Sequence, residues 1–340
     1  GPFDLSDQRL RNLAKALSPA YMRVSGTWAN TTYLPEEGEQ ISEPPEGYRQ
    51  VLTRDQWRGL VNFSNAIGAP ITTSMAVGQG TRDEDGVWTT TQAQRIAELT
   101  REAGGEIAAI EFINEPNAAA LGGLPDDYQV ADYIRDFDIF TRWMERSLPN
   151  ALIVGPGGVG ESQLESIPVA YQDMVRLRSD EIMAQRPGAH DVMSYHHYPT
   201  VSQRCQNTSR PPAEKDDALT AAWLDATIAD FEYYSALRDE YEPGKPIWIT
   251  ETAQAACGGS PWASSFLDTF RYVNQLGLLA QRDVDVVFHN TLAASDYSLI
   301  DEQTLEPNPN YWAAYLWNQL MGTGVLTVSR KALAVWPWQP

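Results

Sequence analysis

Ile110-Glu111-Phe112-Ile113-Asn114-Glu115-Pro116 is the stretch that decides the fold. A β-forming apolar run stops at a proline, which cannot extend a hydrogen-bonded ladder, and leaves a glutamate at the carboxyl end of the strand. Ile247-Trp248-Ile249-Thr250-Glu251-Thr252 repeats the pattern far along the chain. Distant strand ends meet when parallel strands close into a ring, the property of an eight-fold β/α barrel.

Working outward, strand-like runs occupy 21–24, 71–77, 107–113, 152–154, 192–195, 247–250 and 284–289, and helical patterns occupy 5–17, 54–67, 91–103, 130–148, 167–178, 219–241, 266–281 and 310–321. This alternation predicts parallel strands joined by crossover helices, an α/β (β/α)8 TIM barrel. Seven strands accompany eight helices, so one strand is lacking, and its expected place is before Leu5. Residues 1–324 are read as the barrel, and 325–340 as the start of a truncated accessory β region or tail. Gly1-Pro2 reads as a remnant of tag removal.

Composition narrows the function classes. With 340 residues, 43% of them hydrophobic, and eleven Trp, the chain can bury a large core, and no apolar run is long enough to cross a bilayer. A formal net charge of -20 argues against a nucleic-acid partner, which needs clustered Lys and Arg. It also argues against a strongly anionic polymer, since Arg204 and Arg210 are scattered among acidic neighbours. Cys205 and Cys257 are too few for a thiolate zinc site; a disulfide and a reduced pair both stay open. Asn-x-Ser/Thr sequons stand at Asn30, Asn62 and Asn207.

Two glutamates at strand ends are what a retaining glycosidase needs, one to protonate the leaving oxygen and one to attack the anomeric carbon. Glu115 is the candidate acid/base and Glu251 the candidate nucleophile. Asn114 is placed to donate to a sugar hydroxyl, and Gly258-Gly259 lets the backbone approach a ligand closely. In Ser194-Tyr195-His196-His197-Tyr198-Pro199, His197 and Tyr198 are the candidates to bond the nucleophile. Adjacent histidines point to opposite sides of a strand, so no metal site is expected, and no cofactor is implied.

These residues resemble the heparanase-like glycoside hydrolases of family 79. The resemblance spans nearly the whole chain and rests on the run from Leu10 to Thr27, on Asn114-Glu115-Pro116, on Tyr195-His196-His197-Tyr198 and on Glu251-Thr252 with its glycine pair. Asp296-Tyr297-Ser298-Leu299-Ile300-Asp301-Glu302 and Pro309-Asn310-Tyr311-Trp312 extend it. The resemblance implies a clan A barrel and hydrolysis of a β-linked glucuronic acid unit with retention. It implies that Tyr297 and the amides near Gly258 and Gly259 hold the sugar carboxylate, and that Thr27 and Asn114 touch sugar hydroxyls. The family's first barrel strand and most of its β-sandwich are lacking here, so a strand or sandwich from elsewhere is a possible partner. Ala256-Cys257-Gly258-Gly259 stands where heparanases often carry a tyrosine and three glycines. An extracellular or periplasmic location is expected.

The alternatives are a retaining barrel enzyme for a xyloside, arabinoside or galactoside, and an inactive glycan-binding barrel fragment.

Overall fold

The structure, a computed structural model, describes residues 4–166, 175–205, 214–322 and 324. Seven parallel strands pair in chain order: β1 (Met22–Val24), β2 (Ile71–Ser74), β3 (Ile107–Glu111), β4 (Leu152–Val159), β5 (Val192–His197), β6 (Ile247–Thr252) and β7 (Val284–His289). Helix α1 (Gln8–Ala16) precedes β1. Among the described residues these helices follow the strands in turn: α2 (Arg54–Ile67), α3 (Thr91–Glu102), α4 (Val130–Ser147), α5 (Ser179–Gln185), α6 (Ala226–Tyr241), α7 (Phe266–Ala280) and α8 (Pro309–Leu320). Parallel neighbours require such crossovers.

The sheet curls nearly into a ring. Tyr21, at the entry to β1, rests on Trp248 of β6 and Phe288 of β7, with ring centroids 5.0 and 6.2 Å away. Ala109, Val154, Val192, Trp248 and Phe288 fill the interior below the site. The fold is the expected TIM barrel. Among the described residues β1 and β7 are the two edges, with no strand paired between them. The expected accessory region at 325–340 and the sequon at Asn207 lie outside the described residues.

Local chemistry sets most boundaries. Thr53 caps α2 by accepting from the Gln56 amide, Gln56 reaches back to the Thr53 amide, and Gly68 closes the helix at φ 68°. Strand β4 runs past its expected end at Val154 through Gly155-Pro156-Gly157-Gly158, a stretch with no β-forming side chains. Close packing explains it: a Cβ on Gly157 would sit 3.1 Å from Glu111 Oε1, and one on Gly158 2.5 Å from Ser179 Oγ. The helix expected at 167–178 lies partly outside the described residues; 175–178 are not helical, and α5 begins at Ser179. The pattern at 219–241 divides at Asp225 into a short turn of helix and α6.

Strand alternation gives β3 two faces. Ala109 and Glu111 enter the barrel, while Phe112, just beyond the strand, packs outward among Trp88, Tyr133, Phe137 and Phe140 at centroid distances of 5.0–5.9 Å. Because this aromatic block seats the turn that carries Glu115, Phe112→Ala is expected to lower the unfolding free energy by about 3–5 kcal/mol. Urea denaturation tests it, and a loss below about 1 kcal/mol would contradict this packing role.

Candidate active site

The site is built on a charge inside the barrel. Arg23, central in β1, donates through Nε and Nη2 to Glu111 Oε2 (3.1 and 2.8 Å) and through Nη1 to Glu251 Oε2 (2.8 Å). Its Nη2 also donates to Asn114 Oδ1 at 2.7 Å. Glu111 is 1% exposed, and its other oxygen accepts from Thr250 Oγ1 (2.6 Å) and Ser194 Oγ (3.1 Å). A buried carboxylate is stable only when paired and hydrogen-bonded, and both of these are. Burial pushes the Glu111 carboxyl up, but Arg23, His196 and the Thr250 bond outweigh it and hold it below the usual carboxylate value. Glu251 is likewise pushed up by burial and drawn further down by His196, Arg23 and the Tyr198 hydroxyl.

Glu115 leaves the end of β3 in a left-handed turn, φ 51°, a conformation that non-glycine residues adopt where surrounding structure imposes it. Asn30 imposes it from the loop after β1: its Nδ2 donates to the Asn114 carbonyl (2.9 Å) and its Oδ1 accepts from the Asn114 amide (3.1 Å). His196 lies between the two glutamates. Its Nδ1 is 2.9 Å from Glu115 Oε1 and 3.9 Å from Glu251 Oε2, and its Nε2 is 3.3 Å from Arg23 Nη2. A guanidinium only donates, so in its neutral form the ring carries its proton on Nδ1 and donates to Glu115. Burial pulls the imidazole down, but Glu251 and the bond to Glu115 raise it above its ordinary value.

One ligand atom each from Glu115, His196 and Glu251 lies within 4.8 Å of the others, the three donors of a conceivable cation site. Arg23, however, already bonds the Glu251 oxygen and faces the imidazole, so a fixed positive charge opposes a metal there. The arrangement suits proton sharing between two carboxylates better than metal coordination.

The second Glu251 oxygen accepts from Tyr198 OH at 2.5 Å and from Asn290 Nδ2 at 3.1 Å. Asn290 Nδ2 also approaches the hydroxyls of Tyr198 (2.9 Å) and Tyr297 (3.1 Å). Burial, with the Glu251 charge, pushes the Tyr297 phenol up to about 12, so it stays protonated as a donor. Gly258 and Gly259 hold φ 85° and 78° beside it, and a Cβ on Gly259 would lie 3.0 Å from the Tyr297 ring. Asn114 is buried, and among the described residues its Nδ2 has no hydrogen-bond partner. Cys205 and Cys257 are joined in a disulfide.

Thus Glu115, Glu251, Asn114, Tyr198 and Tyr297 come together, with the glycine pair against Tyr297. Thr27 is exposed in the turn after β1. His197 does not join them. It points out of the barrel, with its Nδ1 2.5 Å from Asp230 Oδ2 on α6, so the expectation that it bonds Glu251 is corrected: Tyr198 makes that bond, and His196 bonds Glu115 instead. Ser194 and His196 share the inward side of β5, which puts Tyr195 and His197 outside. Sequence reasoning also missed Arg23, Glu111 and Asn290. Charged residues inside apolar strands were the available signal for the first two; Asn290 carries none.

Residues 2–277 match the sequence profile described as glycosyl hydrolase family 79, N-terminal domain. The chain belongs to that family. Heparanase-like protein 1 of Arabidopsis thaliana is 25% identical over 345 residues, covering 96% of this chain and 60% of its own length. Heparanase of Mus musculus is 26% identical over 370 residues, covering 95% and 64%. The family 79 chain therefore spans less than two thirds of these relatives. Among solved structures, a 4-O-α-L-rhamnosyl-β-D-glucuronidase from Fusarium oxysporum superposes with a TM-score of 0.62 at 14% identity, covering 94% of this chain and 65% of that one. That likeness concerns the barrel fold.

The buried charges of this family 79 barrel make a stability prediction. Glu111 and Glu251 have lowered folded-state pKa values, so their stabilisation is complete above the ordinary carboxylate value of 4.5 and is lost as pH falls through the depressed values. Glu111→Gln is expected to cost about 3 kcal/mol at pH 7, with the gap from wild type narrowing on acidification. Urea titrations at neutral and acid pH measure this, and a pH-independent gap would contradict it.

Proposed function

We propose that the chain is the barrel of a retaining glycoside hydrolase that cleaves β-linked glucuronic acid, with Glu115 as acid/base and Glu251 as nucleophile. The observation that carries this reading is the approach of the two carboxylates to within 4.8 Å of each other beside His196 Nδ1. Retaining pairs stand at roughly 5–5.5 Å, and inverting pairs are wider to admit a water.

In the first step Glu115 gives its proton to the glycosidic oxygen while a Glu251 oxygen attacks the anomeric carbon. The carbon–oxygen bond to the leaving group breaks, and a glycosyl ester forms. In the second step Glu115, now a carboxylate, takes a proton from water, whose oxygen displaces Glu251. Ester formation removes the Glu251 charge, and Glu111 then still balances Arg23. Esterification therefore leaves no unpaired cation in the barrel. The unpartnered Asn114 Nδ2 is a ready donor for a sugar hydroxyl beside the reacting carbon.

The substrate class follows from the seat beside Glu251. Tyr297 OH and the backbone amides at Gly258 and Gly259 are neutral donors suited to a sugar carboxylate, and they bind it without adding a cation. Heparanase and a hyaluronoglucuronidase of Hirudo nipponia among the relatives favour the same sugar over a xyloside or arabinoside. The Cys205–Cys257 disulfide supports an oxidising, extracellular or periplasmic location. Two free thiols in protein isolated from its native compartment would overturn that location.

Glu251→Gln is expected to reduce kcat/KM on an aryl β-glucuronide by at least about 1,000-fold. Unchanged turnover would overturn its role, and cleavage of aryl xylosides but not glucuronides would overturn the substrate. The pH profile is a second test. Activity requires ionised Glu251, so it persists below the ordinary carboxylate range and fails as pH falls through the depressed value. Tyr198→Phe removes one of the influences holding Glu251 down, so the acid limb of kcat/KM is expected to move to higher pH. A limb that stays in place would show that the hydroxyl does not tune Glu251.

A further inference from the structure

Next to the site, Cys257, Gly258 and Gly259 take φ values of 63°, 85° and 78° in succession. Such a run is unfavourable for a chain left to itself, above all at a residue with a side chain, so something outside it must hold it. Its carbonyls turn away from the cleft. The Cys257 carbonyl accepts from Ser202 Oγ at 2.8 Å. The Gly258 carbonyl accepts from Arg204 Nη1 (2.9 Å) and from the Asp296 amide (3.0 Å), and Arg204 Nη1 also reaches the Gly259 carbonyl at 3.4 Å. Arg204 Nη2 bonds Asp296 Oδ2 at 2.7 Å, and the disulfide ties Cys257 to Cys205, one residue beyond that arginine.

The loops after β5, β6 and β7 are thereby locked together at one point on the barrel rim. On the cleft side the same segment packs on Tyr297, where a Cβ on Gly259 would lie 3.0 Å from the ring. Tyr297 in turn shares Asn290 with Glu251. The bonded carbonyls and the contact with Tyr297 are two ends of one rigid unit. Arg204 and Asp296 cancel each other's charge, so they restrain the loop without making the cleft cationic.

We propose that Arg204, Asp296 and the Cys205–Cys257 bridge are specificity-positioning groups, a clip that holds residues 257–259 in the one conformation whose amides, with Tyr297, seat a sugar carboxylate. The clip touches neither reacting carboxylate, so it governs binding of the charged sugar and not the rate of the chemistry. It also makes the seat sensitive to reduction. A dithiol attacks one sulfur of the bridge, expels the other as a thiolate and then closes to its own cyclic disulfide; two electrons pass to the protein, and two cysteine thiols remain.

This inference rests on the glucuronide reading above, and the test separates the two. Steady-state kinetics on an aryl β-glucuronide would be measured for the wild type before and after dithiol treatment, for Cys205→Ser combined with Cys257→Ser, and for Arg204→Met and Arg204→Lys. The inhibition constant of a neutral, gluco-configured inhibitor would be measured alongside. The expected result is a KM about tenfold higher in the reduced, double-serine and Arg204→Met forms, with kcat within about twofold, an unchanged inhibition constant and partial recovery in Arg204→Lys. An unchanged KM, or equal weakening of charged and neutral ligands, would overturn the proposal. A wild type with no glucuronide turnover would overturn the substrate reading instead. Hydrogen exchange at the amides of 257–259 then decides the clip: faster exchange in Arg204→Met supports it, and unchanged exchange removes it.

Discussion

One guanidinium, buried in the mouth of the barrel between two carboxylates, is the constraint on which the rest of the site depends. Arg23 cannot lose its proton, and each of its bonded oxygens would be costly to bury alone. The three groups must therefore fold into place together, which fixes β1 against β3 and β6 near the unpaired edge of the sheet. Glu111 then has no freedom to swing toward the cleft. It is held by four donors and serves as a standing counter-charge while Glu251 changes its own charge during the proposed reaction.

Around this core, strand β5 and the neighbouring loops add further restraints. Asn30 clamps the turn that exposes Glu115, His196 bridges the two acids, and Tyr198 with Asn290 holds the free edge of Glu251. The strand ends supply rigid groups, and the loops supply those that touch a ligand, the usual division of labour in a β/α barrel. The proposed seat for an acidic sugar is compatible with an acidic protein, because its donors would be amides and a phenol and the arginine nearby is paired with an aspartate.

Much of this was legible in the linear chain. Segment 54–67 reads as a helix from its helical pattern, and the structure places α2 there, with the Thr53–Gln56 cap and Gly68 marking its ends. The starts of β3 and β6, Ile107 and Ile247, are legible as well, whereas their ends fall at Glu111 and Thr252, each two residues from the expected 113 and 250. Strand β4 was not legible past Val154. Its glycines lie there because Glu111 and Ser179 leave no room for side chains, and that is a fact about neighbours 46 residues upstream and 21 downstream. His196 and His197 show the same boundary more sharply. Alternation said that they face opposite ways, but not which way, since that is set by the pairing register of β5 between β4 and β6.

By itself, then, the sequence determined the repeating β/α units, the direction of the strands and the two glutamates at strand ends, because hydrophobic period and chain-breaking residues act over a few positions. Only the tertiary structure decided that Arg23 and Glu111 sit beneath those glutamates, that His196 lies between them and that Asn290 reaches Glu251. These are contacts between residues tens to hundreds of positions apart, and they exist because burial leaves each charge or donor a single place where it can be paired.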